Sequence, residues 1–181
     1  MSTRNIIQAL QGAAGAAAGG GTLDVDEVFS IDLYTGNGST QQITNGLDLS
    51  SEYGLVWSKE RSTSIYNHGL VDNVSNKFLM SDNASAAANA STEISSFNTD
   101  GFTLHGTGDY NNQNNRTYVS WSFRKAKKFF SIVQFSGNNA TQTIDHDLGS
   151  VPGMIIVKRT DDAGNWGVKH RSIAATNAVF L

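Results

Sequence analysis

The side chains best suited to acid–base or metal chemistry in this 181-residue sequence are four histidines, His68, His105, His146 and His170. They are scattered and lack the short, regular spacing that brings two ligands onto one metal. His146 stands between Asp145 and Asp147 in a turn, where a solvated histidine is the simplest reading. Two carboxylate groupings, Asp24-Val25-Asp26-Glu27 and Asp161-Asp162-Ala163-Gly164-Asn165, could offer oxygens to calcium. Neither has the glycine and distant glutamate of an EF-hand loop. Both are read as solvated, and no metal is expected. The sequence contains no G-x-S-x-G nucleophile elbow and no phosphate loop ending in G-K-[ST]. No pair of carboxylates stands out as a glycosidase dyad. No catalytic residue and no cofactor is assigned, and the chain is not expected to be an enzyme.

The three tryptophans are the large anchors. Trp121 sits on the apolar face of an alternating stretch, and Trp57 lies in an apolar triplet; both are expected in the core. Trp166, within Gly164-Asn165-Trp166-Gly167, is expected to be the exposed one. It is the candidate for stacking on a sugar ring, beside an equally simple core or interface role.

Composition narrows the field further. Formal net charge is -3, so there is no basic excess of the kind that binds nucleic-acid phosphates. No apolar run reaches the length of a membrane span. There are no cysteines, so stability must come from burial, backbone pairing or oligomerisation. The polar residues are mostly Ser, Thr and Asn, with 18 glycines and one proline, a mixture suited to short strands and tight turns.

Ahead of the body lies an arm, residues 1–23. Ser2 or Thr3 can cap a short helix whose Ile6, Ile7 and Leu10 share one face. Gly19-Gly20-Gly21 follows as a hinge. Gln8 and Gln11 interrupt the stretch, against a secretory signal. A helix of about ten residues is marginal alone in water, so its apolar face needs a cover. Either the arm packs on its own domain or stays disordered, as many termini do, or Arg4, Ile6, Ile7 and Leu10 dock on a partner.

The body reads as strands. Glu27 to Thr35 alternates, with Phe29, Ile31 and Leu33 on one face. Tyr118 to Arg124 alternates more cleanly, with Val119, Trp121 and Phe123 against Ser120 and Ser122. Period two with one apolar face predicts a half-buried antiparallel strand. Gly54 to Arg61, Gly101 to His105 and Met154 to Arg159 are further strands. Gly36-Asn37-Gly38, Thr99-Asp100-Gly101 and Ser136-Gly137-Asn138-Asn139 are the turns between them, the first a hairpin. Lys77 to Thr92 is read as a loop, Asp109 to Asn115 as an exposed loop tip, and the run Lys125, Lys127, Lys128 as a solvated linker.

The sequence also repeats itself. Phe29 to Leu47 and Phe130 to Leu148 are identical at nine of nineteen positions, at a constant offset of 101. After a two-residue contraction Gly54 to Lys59 aligns with Gly153 to Lys158. A period of this size is a small β-domain rather than a solenoid rung. It divides the chain into a first β-sandwich unit, 24–128, and an incomplete second unit, 129–181. The second unit either begins a longer series or completes one sandwich with the first. The apolar stretch Ala178-Val179-Phe180-Leu181 favours the longer series.

The stretches Val28-Phe29-Ser30, Leu33 to Gln41, Gly54-Leu55-Val56-Trp57, Phe97 to Phe102 and Tyr118 to Arg124 carry a resemblance, as does Leu148 to Arg159 in the second copy. Together they resemble a repeat domain found in bacteriophage proteins, cyanophages especially. The resemblance covers residues 28–181. It implies a mainly β fold, an antiparallel sandwich of jelly-roll or lectin-like type. It implies a virion protein that acts as the particle-attachment part of a tail fibre or appendage, or else a carbohydrate-binding module for host recognition. The implied partners are other virion proteins, tail or head-tail components, and further copies of the chain, a trimer among the expected states.

Overall fold

The computed structural model describes residues 23–63, 65–106, 108, 110–173 and 179–180. The expected docking arm, with Arg4, Ile6, Ile7 and Leu10, lies outside the described residues, as does its glycine hinge.

Nine strands build the first unit: β1 Phe29–Thr35, β2 Gln41–Thr44, β3 Gly54–Glu60, β4 Gly69–Asp72, β5 Lys77–Met80, β6 Ala88–Asn89, β7 Ile94–Asn98, β8 Gly101–Leu104 and β9 Thr117–Arg124. They form an antiparallel β-sandwich. The large sheet runs β1-β9-β3-β4-β5-β6 and the small sheet β2-β8-β7. The core lies between them. Val56, Val71 and Phe78 come from the large sheet, Ile43, Ile94, Phe102 and Leu104 from the small one, and Leu47 and Leu49 from the β2–β3 connection. Each such large apolar side chain contributes about 1.5–3 kcal/mol when fully buried.

Local chemistry explains the turns. Asn98 pairs with Gly101 across Thr99-Asp100, closing β7 onto β8 as a tight hairpin. Gly101 has φ of 141°, and a Cβ there would stand 2.1 Å from the Ile43 carbonyl oxygen. Only glycine suits such a site. Gly36-Asn37-Gly38 does not close a hairpin, contrary to expectation. β1 pairs with β9 and β2 with β8, so this turn carries the chain from one sheet to the other. Lys77 to Thr92 is not all loop either: it holds β5, β6 and a short 3-10 turn, Ala90–Thr92. Phe78 drives β5 into the core at 6% exposure, an anchor that the surrounding Asn and Ser residues mask.

The second unit carries a smaller sheet, β10 Met154–Val157, β11 Gly167–His170 and β12 Val179–Phe180, in the order β10-β11-β12. The repeat is written in its backbone only in part. Residues 29–47 contain β1 and β2, but no strand forms between Ser131 and Gly153. Phe130 makes only an isolated bridge to Ala126. The sequence match between residues 29–47 and 130–148 is therefore not matched by a shared backbone shape. The physical reason is pairing. Among the described strands β1 is held only by β9, and β2 only by β8; the second unit has no described counterpart of either. Gly54 to Lys59 and Gly153 to Lys158, by contrast, both hold strands.

Candidate functional site

The large sheet has two faces, and the sequence puts the unexpected one outward. In β9, Tyr118, Ser120 and Ser122 are fully buried, while Val119, Trp121 and Phe123 are half-buried. In β1, Ser30, Asp32 and Tyr34 turn inward with them; Ile31 and Leu33 are 57% and 65% exposed. The apolar side of these two strands is thus the outer one, the reverse of the expected arrangement. Trp57 and Trp121 lie on that outer face, half-buried rather than in the core.

Register sets the outer residues in rows. Ile31, Trp121, Trp57, Leu70 and Leu79 are successive cross-strand partners over five strands. Phe29, Phe123 and Leu55 form a second row ending at Asp72, and Leu33 and Val119 a third ending at Lys59. Cross-strand aromatic pairs bind the rows together. Trp57 and Trp121 meet edge to face at 5.9 Å, and Phe29 and Phe123 at 5.0 Å. Phe130, from the second unit, covers Phe123 at 5.4 Å. At the opposite end Trp57 donates to Nδ1 of His68. Burial lowers the His68 pKa, the Asp82 charge opposes that, and the Lys59 charge adds to it.

The inward polar residues are held rather than poised. Asn45 donates to both Asp32, at 3.2 Å, and Ser122, at 3.1 Å. Burial raises the Asp32 pKa against the hydrogen bonds from Asn45 and Ser30. Glu60, 2% exposed, receives Thr63 at 2.6 Å, Ser62 at 2.8 Å and Arg116 at 3.0 Å. Burial pushes its carboxyl up, and those three donors outweigh burial and hold it below the usual glutamate value. A carboxylate surrounded by donors keeps its charge and fixes its loops; it is a poor proton carrier. Asp72 accepts hydrogen bonds from the Val74 and Ser75 N–H groups and the Ser75 hydroxyl.

A buried asparagine pair escaped the sequence reading. Asn111 and Asn112 are 2% and 1% exposed, although Asp109 to Asn115 reads as an exposed tip. Asn112 donates to the carbonyls of Ser39 and His105, at 2.7 and 2.9 Å, and accepts from the Asn37 N–H at 3.1 Å. It staples three loops at one end of the sandwich. Nothing in composition separates such an asparagine from a solvated one.

The other candidates are dispersed. Trp166 is 6% exposed and donates to the Met80 carbonyl at 2.9 Å. Its expected exposure is corrected: the indole is sealed against the first unit. His146 is exposed and accepts from the Leu148 N–H, and His170 accepts from the Ser172 N–H. Asp161 and Asp162 both engage Arg159. Among the described residues no three His, Asp or Glu side chains group to hold a metal, and no helix is long and apolar enough to cross a membrane. An open depression of about 260 Å³ lies between Tyr53 and Lys125 to Lys127. Its Lys125 is paired with Asp147, and its lining presents no reactive grouping.

The fold defines an antiparallel β-sandwich protein with an apolar outer sheet face. Within that class the chain belongs to the DUF7483 family, a domain of unknown function, which matches residues 24–181 across both units. No curated protein and no solved structure matches the chain.

Proposed function

We propose that this protein is a structural and assembly module of a bacteriophage particle, part of a tail fibre or similar appendage. One observation carries the assembly reading: the apolar outer face of the large sheet. Exposed apolar patches mark interaction sites, and here exposed Ile31 and Leu33 adjoin the half-buried Val119, Trp121 and Trp57. Ile31 and Leu33 stand exposed at its open edge, on β1, beside Trp121 and Val119. The resemblance in Val28 to Gln41, Tyr118 to Arg124 and Leu148 to Arg159 supports the particle. Other virion proteins, or copies of this chain, are the partners the face suits. The carbohydrate reading loses its residue, because Trp166 is sealed.

Two measurements test this. Mass spectrometry of purified particles should find the protein among the virion components; its absence would defeat the virion assignment. Replacing Leu33 with Asp should leave the sandwich folded and abolish association of the full chain, read by light scattering on a sizing column. Unchanged association would remove the outer face from the assembly.

A further inference from the structure

Three oxygens converge beside Gly108. A Cβ at Gly108 would stand 2.3 Å from Oδ1 of Asn111, 3.1 Å from Oε2 of Glu93 and 3.2 Å from the carbonyl oxygen of Thr92. Only glycine leaves that point open. Glu93 is 5% exposed and Asn111 2%. The oxygens come from two segments, the end of the 3-10 turn before β7 and the β8–β9 connection.

Both segments are fixed. The His105 N–H donates to the Glu93 carbonyl at 3.0 Å, and the Asn111 side-chain amide donates to the same carbonyl at 3.1 Å. The Tyr34 hydroxyl donates to the Asn111 carbonyl at 2.9 Å, and the Asn112 N–H to that of Gly108 at 2.9 Å. Among the described residues, nothing donates to the buried Oδ1 of Asn111. An acceptor left in that state costs about 1–3 kcal/mol. Turning the amide over does not cure it. Oδ1 would then meet the Glu93 carbonyl oxygen, and one acceptor would face another.

We propose that Glu93, Asn111 and Thr92 form a calcium site, supplying a carboxylate, a side-chain amide oxygen and a backbone carbonyl as three of its ligands, with water completing the shell. The donor set selects the ion. It offers one charged and two neutral oxygens, with no nitrogen or sulfur, which suits a hard cation. Calcium tolerates irregular arrangements of such oxygens, whereas magnesium demands a near-ideal octahedron. Thr92 is exposed, which gives the ion an entry from solvent. With a single carboxylate the expected Kd is about 10⁻⁴–10⁻³ M, the range of extracellular calcium modules. The bound ion would tie the turn before β7 to the β8–β9 connection, next to the loops that Asn112 staples. The inference stands apart from the apolar outer face of the large sheet.

The test uses the full chain, freed of metal with a chelator, and calcium chloride. Titration calorimetry should find one calcium per chain, with magnesium at least about tenfold weaker. Glu93→Gln keeps the shape and removes the charge, and should weaken calcium by at least about tenfold. Asp161→Asn, in the exposed group engaged by Arg159, should bind as the wild type does. Amide exchange gives a local readout on the unaltered chain, which decides the matter if Glu93→Gln does not fold. At calcium about tenfold above its Kd, the His105 and Asn112 amides should exchange about tenfold more slowly, and amides in 159–165 should not change. No saturable binding up to about 10 mM calcium, well above the expected Kd, overturns the proposal and leaves a proton on Glu93 or a water to satisfy Asn111. Binding that survives Glu93→Gln, or is lost in Asp161→Asn, also overturns it. So does binding that leaves the His105 and Asn112 amides unprotected.

Discussion

Trp57 donates its indole N–H to Nδ1 of His68 at 2.9 Å, with the two rings edge to face and 5.8 Å apart. An imidazole can accept at Nδ1 only while that nitrogen is unprotonated. The bond therefore selects neutral His68, in the same direction as its burial. The folded-state pKa lies below the ordinary histidine value of 6.5. The unfolded chain then binds the proton more readily, and this contribution to stability is present above pH 6.5 and lost as pH falls below it. Between pH 7.5 and 5 the melting temperature should fall further for the wild type than for His68→Asn. The gap between them should narrow as the pH drops, read by calorimetry. A constant gap would mean that His68 does not titrate against Trp57.

Gly46 and Gly101 both have positive φ, 80° and 141°, but their surroundings differ. A Cβ at Gly46 would meet nothing within 4 Å; at Gly101 it would strike the Ile43 carbonyl oxygen at 2.1 Å. Gly46→Ala carries only a left-handed backbone cost of about 1–2 kcal/mol. Gly101→Ala must also force apart β2 and β8, and should cost more than about 4 kcal/mol. Urea midpoints of the two variants check this, and comparable losses would contradict the close approach.

The strands most legible in the sequence were those with clean alternation or an apolar run, β1, β3, β8, β9 and β10. The side they face was not legible. Alternation in Tyr118 to Arg124 marks two faces but does not say which one meets the second sheet. Here the buried face carries Ser120 and Ser122, small enough to let Asn45 and Asp32 in, and Trp121 goes outward. β4 was missed because all four of its residues are buried, which leaves no period to detect. β2 and β7 owe their place to a hairpin and to pairing with β8, contacts distant in sequence. The repeat is a match in sequence, at nine of nineteen positions. Its backbone outcome depended on β8 and β9, partners that the repeated stretch does not contain.

Asn112 tests how much one such long-range polar contact matters. Its side chain makes three hydrogen bonds, to Asn37, Ser39 and His105. Asn112→Ala would leave three part-buried partner groups without their donor or acceptor, at about 1–3 kcal/mol for each one not rescued by water. A loss of about 2–4 kcal/mol is expected in urea denaturation, with faster amide exchange at Gly38, which donates to the Asn112 carbonyl. A loss below about 0.5 kcal/mol, the range of ordinary surface changes, would show that the loops do not depend on this staple.

Trp166 pins the second unit's small sheet to β5 of the first unit, and its removal should release that sheet while Phe130 stays on Phe123. The indole is 6% exposed and bonded to the Met80 carbonyl, at the end of β5. Around it Gly164 donates to the Ala84 carbonyl, Ala87 to that of Thr160, and Lys158 to that of Ala84. These contacts, two between backbone groups and one from the Lys158 ammonium, join exposed or half-buried residues, and water can replace them. The indole is the one large apolar anchor among them. Trp→Ala in a packed site costs about 3–5 kcal/mol, more than a few solvated hydrogen bonds restore. Limited proteolysis of Trp166→Ala should cut within 158–166 much faster than in the wild type, while the core around Phe102 and Leu104 keeps the first unit intact. Trp166→Phe keeps most of the packing and loses the bond to Met80, and should fall between the two. If the alanine variant is cut no faster than the wild type, the strands β10 and β11 are held to the first unit by something other than this side chain.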